Sequence, residues 1–118
     1  MMTTKQLVDA IVEGIQNKKG HRIVTIDLRK LHDAPVEFMV VAEGGSSTQV
    51  AAIADEVIDY VRTTHHVHSL ASDGYENSEW IAIDYGTVFV HIMQRPAREY
   101  YDIEHLWADG KIKEIEDI

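Results

Sequence analysis

Two apolar runs, residues 80–85 (WIAIDY) and 87–93 (TVFVHIM), are joined through Gly86 alone. With so little chain between them, the two runs must lie side by side as an antiparallel pair. A second constraint stands at residues 36–42, VEFMVVA, which is apolar almost without interruption. A strand with one wet face alternates polar and apolar residues. A continuous run reads instead as a strand covered on both faces. The chain therefore needs a sheet with helices available to cover it.

Those helices are legible. At 3–18, Leu7, Val8, Ile11, Val12 and Ile15 recur at helical spacing. Thr3 or Thr4 can cap the start, and Lys18, Lys19 and Gly20 suit the exit. After Gly44 and Gly45 a second stripe, Val50, Ile53, Ala54, Val57, Ile58 and Val61, follows i, i+3, i+4, i+7 spacing, with Asp55, Glu56, Asp59 and Arg62 opposite. Residues 22–28 read as a strand and 29–35 as a polar connection. Residues 66–71 read as a short strand, 72–78 (SDGYENS) as a turn-rich loop, and 98–108 as a short helix with Tyr100, Ile103, Leu106 and Trp107 on its packing face. The whole predicts an α/β chain: a single-domain mixed β-sheet packed with helices. The domain is expected over 1–109, with 110–118 a charged, mobile tail.

Size and charge narrow the function. A chain of 118 residues is one domain, long enough to bury roughly 65% of the surface it exposes when unfolded. Twenty acidic against eleven basic residues leave a net charge of −9. Such a surface disfavours broad contact with nucleic acid, whose affinity comes from Lys and Arg displacing counterions, and favours a basic protein partner. Without cysteine there is neither a disulfide framework nor thiolate chemistry. The first ten residues are too polar for a signal peptide, and no apolar run approaches the roughly 20 residues of a membrane span. A cytoplasmic protein is the expectation.

Three motifs invite chemistry. Gly44-Gly45-Ser46-Ser47 lies between a strand and a helix, where backbone amides can cradle a phosphate. Nucleotidyl transfer at such a turn also requires paired carboxylates to hold divalent metals. Asp27 and Asp84 each stand alone, so a tight turn with a helix cap is the simpler reading. Of His65, His66 and His68, the pair His66 and His68 would share a strand face, but no third or fourth ligand follows at zinc-like spacing, and the cluster fits a solvated helix end. No cofactor or metal is implied. Finally, Trp80 enters its strand directly after the acidic stretch that holds Glu76 and Glu79. This is either a core tryptophan at a strand start or an interface anchor.

Residues Asp84, Tyr85, Gly86, Val88, Val90 and His91, followed by Arg98, Tyr100, Tyr101, Ile103, Glu104, Leu106 and Trp107, resemble the signature of the ribosomal silencing factors, the Iojap-like or RsfS family. Its members carry D-Y-G-D-V-V-V-H and a later R-x-F-Y-x-L-E-x-L-W. The resemblance spans roughly residues 5 to 108. Glu37, Thr48 and Thr87 depart from the residues most common there, which are Asp, Arg and Asp. The resemblance implies a nucleotidyltransferase-like fold and a binding protein rather than an enzyme. It implies docking on ribosomal protein fourteen, a basic protein of the large ribosomal subunit, with little direct RNA contact. Joining of the small subunit would be blocked and translation repressed when nutrients fail. The partner-binding residues implied are Trp80, Asp84 and Tyr85, with Glu76 and Glu79 as the acidic surroundings. A homodimer when free is compatible with the same apolar patch. The rival classes are a nucleotidyltransferase-like enzyme using the turn at 44–47 and a homodimeric scaffold.

Overall fold

The structure is a computed structural model and describes residues 2–117. Helix α1 (Thr4–Asn17) begins at a reciprocal cap: the Thr3 hydroxyl accepts from the Gln6 N–H, and the Gln6 side chain accepts from the Thr3 N–H. Its stripe of Leu7, Val8, Ile11 and Ile15 is buried. Strand β1 (His21–Asp27) follows, then β2 (Phe38–Glu43), every residue of which is buried. Helix α2 (Ser47–His65) buries Val50, Ile53, Ala54, Val57 and Val61. Then come β3 (Ala71–Asp73), β4 (Trp80–Asp84), β5 (Val88–Met93), α3 (Arg95–Tyr101), α4 (Ile103–Leu106) and β6 (Lys111–Ile115).

The six strands form one mixed sheet in the order β3-β4-β5-β2-β1-β6. Among the described residues only β2 and β5 pair in parallel. The continuous apolar run at 36–42 thus becomes an interior strand, flanked by β5 and β1 and covered above and below. Helices α1 and α2 pack on one face, over Ile23, Val40, Ile81, Ile83, Val90 and Ile92. The opposite face holds Val24, Ile26, Met39, Val41 and Met93, which are closed over by the 28–36 connection, α3 and α4. Close to 25 cal/mol per Å² of apolar surface removed from water holds such layers together.

Four expectations need correction. The hairpin between β4 and β5 turns through three residues, Tyr85, Gly86 and Thr87. The Tyr85 N–H bonds the Val88 carbonyl at 2.9 Å, and Gly86 takes φ +86°, which suits a residue without Cβ. The predicted strand at 66–71 is instead a connection, because His66 caps α2 in the left-handed region and turns the chain out; β3 starts only at Ala71. The single helix at 98–108 is two short ones. Pro96 lets α3 begin at Arg95, and Asp102, at φ +48°, ends it. The tail from 110, expected to be mobile, contributes the edge strand β6, paired along β1 from Ile23–Ile115 to Asp27–Lys111. Its alternating Lys and Ile reflect an exposed edge, where lysine discourages further pairing. Gly110 enters it so tightly that a Cβ there would stand 2.7 Å from both Ile26 and Leu28.

Candidate functional site: an open sheet face

Strand β4 alternates as its period of two demands: Ile81 and Ile83 face the helices, while Trp80, Ala82 and Asp84 face the other way and stay half-exposed. Phe89 and His91 of β5 lie beside Asp84 and Ala82, and Ala71 and Asp73 of β3 flank them on the other side. Here, beyond the reach of α3 and α4, the sheet is uncovered. A shallow groove of about 230 Å³ remains, lined mainly by Ala71, Asp73, Ala82, Asp84, Phe89 and His91.

Trp80 borders this face. Its indole N–H donates to His91 Nδ1 at 3.0 Å, and its ring lies 4.7 Å from that of Tyr101. Tyr100 stands edge-on to Tyr101 at 5.0 Å and is 81% exposed. The aromatic row therefore runs from the sheet into solvent. Because His91 Nδ1 accepts from Trp80, the proton of the neutral imidazole sits on Nε2. His91 is 8% exposed, and its Nε2 has no partner. Burial disfavours the imidazolium and pulls its pKa down to about 4. One Asp84 oxygen accepts from the Gly86 N–H at 2.7 Å, and one Asp73 oxygen accepts from the Gly74 N–H at 2.9 Å. Among the described residues neither carboxylate meets a basic side chain.

The five residues expected to form one surface are divided by the fold. Trp80 and Asp84 share the open face. Tyr85, five positions after Trp80, falls on the opposite side of the strand, where it is buried among the residues beneath α1 and α2. Its hydroxyl is unpartnered, and burial pushes its pKa up to about 12. Glu76 borders a different hollow, against Ser47, Thr48 and Asp55 of α2. Glu79 is exposed, with its carbonyl bound by the Gln94 N–H at 2.9 Å. Sequence reasoning missed Ala82, Phe89 and His91 as part of the face, although alternation from Trp80 and Asp84 would have found them. It also took Tyr100 and Leu106 for packing residues. They are 81% and 74% exposed, and Ile103 and Trp107 do the packing.

The turn at 44–47 is a helix start. The Ser46 hydroxyl accepts from the Gln49 N–H at 3.1 Å, and the Gly45 N–H donates to Gln49 Oε1 at 2.6 Å. The adjoining carboxylate, Glu43, is 5% exposed and bound by Arg22 at 2.7 Å and Arg98 at 3.4 Å. Arg98 also grips Glu104 with two hydrogen bonds of 3.1 and 3.0 Å and donates to the Arg22 carbonyl at 2.7 Å. Asp27 is held by Arg29, which lowers its pKa through their hydrogen bond. Each of these acids is committed to a cation. Among the described residues no group of three His, Asp or Glu is placed to hold a metal ion, and no helix is long and apolar enough to cross a membrane.

The fold is thus a mixed sheet packed by helices on one side and left partly bare, apolar and acid-rimmed on the other. The family model described as "Ribosomal silencing factor during starvation" matches residues 1–118. A ribosomal silencing factor of Haemophilus influenzae is 37% identical over 86% of this chain and 98% of its own length, and one from Halalkalibacterium halodurans is 30% identical over 99% and 98%. A crystal structure of a Chromobacterium violaceum protein superposes with a TM-score of 0.85 at 36% identity, covering 91% of this chain and 88% of that one. The chain belongs to the ribosomal silencing factor family.

Proposed function

We propose that the chain represses translation by docking through its open sheet face on ribosomal protein fourteen of the large subunit, in the cytoplasm, and so blocking the small subunit from joining. The observation that carries this reading is the bare face itself. Trp80 and the Tyr101–Tyr100 row supply aromatic area beside unpaired Asp73 and Asp84. Apolar anchors within an acidic field suit a basic protein surface. The net charge of −9 supports a protein contact over an RNA one. Binding suffices for the effect: a domain about 36 × 33 × 27 Å seated where two large bodies meet keeps them apart by volume alone.

In this reading Trp80 and Asp84 touch the partner. Glu76 and Glu79 add to the long-range field, and Tyr85 backs the strand from within. Purified large subunits sedimented with the protein should carry it into the pellet, and added protein should lower the fraction of joined ribosomes in gradients. Unchanged joining at saturating protein, with no co-sedimentation, would refute the proposal.

A further inference from the structure

The groove beside Trp80 has a more particular chemistry than a flat apolar patch. Its floor is Ala82 and Phe89, and the small Ala82 leaves the depth. Asp73 sits directly across from Ala82 on β3, and Asp84 lies two positions further along β4, so two carboxylates flank one hollow on the same face. Each spends one oxygen on a backbone amide and keeps the other free. Among the described residues no lysine or arginine lines the hollow. The wall opposite Asp73 is His91, more than nine-tenths buried, whose ring burial keeps neutral, so it adds no positive charge to the hollow.

We propose that this groove is a socket for one basic side chain of the partner protein, an arginine or a lysine. The aliphatic stem lies over Ala82 and Phe89, as long cationic side chains lie along apolar surface. The charged head sits between Asp73 and Asp84. A volume of about 230 Å³ has room for a single extended side chain. Carboxylates on both sides favour the planar fork of arginine, which can bond both at once. The socket rests on the reading of this face as the docking surface, and it assigns the charge at the centre of that surface.

The test compares four proteins for affinity to purified large ribosomal subunits across a salt series: wild type, Trp80→Ala, the double variant Asp73→Asn with Asp84→Asn, and Ala82→Leu. Asparagine keeps the oxygen that accepts from Gly74 or Gly86, so the turns survive, and thermal melts check that they do. The double variant should bind about tenfold or more weakly, with a shallower salt dependence. Ala82→Leu should lose a similar factor by filling the hollow without touching its charge. If both bind as wild type while Trp80→Ala does not, the docking face stands and the socket is wrong. Binding that tightens on removing the acids would mean an anionic occupant, such as RNA phosphate, and would also overturn it. Should wild type itself fail to bind, the docking reading falls and the socket falls with it.

Discussion

Trp80 and Tyr85 show how a single strand assigns opposite duties to neighbouring aromatics. Tyr85→Ala should cost about 3–5 kcal/mol of folding stability, the toll of emptying a packed aromatic site. Tyr85→Phe should leave stability level or slightly higher in denaturant titration, because it removes a buried hydroxyl that has no partner. Trp80→Ala should remain folded and bind large subunits about 30-fold less tightly, the loss expected of an interface anchor worth about 2 kcal/mol. His91 adds a pH signature. Its folded pKa of about 4 lies below the 6.5 of the free imidazole. Between those values the unfolded chain takes up a proton that the folded chain refuses. The contribution is therefore whole above pH 6.5, declines as pH falls, and is gone below about 4, with a span on the order of 3 kcal/mol at most. His91→Gln keeps an acceptor for the Trp80 N–H but does not titrate, so its melting temperature should fall less steeply across that window.

Helices α3 and α4 are too short to hold themselves in place and depend on Arg98. That residue, 4% exposed, joins Glu43 of β2, the Arg22 carbonyl of β1 and Glu104 of α4. Arg98→Ala removes the cation that Glu43 and Glu104 share; Glu43 keeps Arg22 at 2.7 Å and Glu104 is 25% exposed, so the loss should stay below the figure of about 3–5 kcal/mol for a fully buried pair broken outright. Denaturant unfolding should show a clear loss below that bound, and Tyr101 fluorescence should report displacement from Trp80 before global unfolding. This clasp was invisible in the sequence, since its members stand at positions 22, 43, 98 and 104 and no local rule links them. Elements that depend on local periodicity were legible: the stripes of α1 and α2, the β4–β5 pair and the doubly covered β2. What eluded the sequence was set by distant partners. Strand β6 looks like a charged tail until β1 offers it a ladder of hydrogen bonds. The candidate face was half legible. Alternation along β4 places Trp80 with Asp84 and expels Tyr85, but only the lateral register brings Asp73 and His91 beside Ala82.

At the scale of the molecule, the excess of acidic over basic residues acts at a distance that no single contact reaches. Association with a basic partner should slow as salt is raised, most steeply between low and physiological ionic strength, where the screening length shrinks to about 8 Å. Dissociation, governed by the aromatic contact, should respond far less. Stopped-flow measurement of both rates separates the two; an on-rate indifferent to salt would remove electrostatic steering from the account.

The pairing of β1 with β6 also sets a timetable. Ile23 reaches its neighbour Ile115 only after every element between them has been synthesised, and the β2–β5 pair spans the whole of α2, β3 and β4. β1 can pair with β2 and α1 can pack on α2 early, but neither of the two long-range junctions can form until the later strands exist, so the sheet closes late. A protein proposed to silence ribosomes would thus close its own sheet only after β6 has itself left a ribosome.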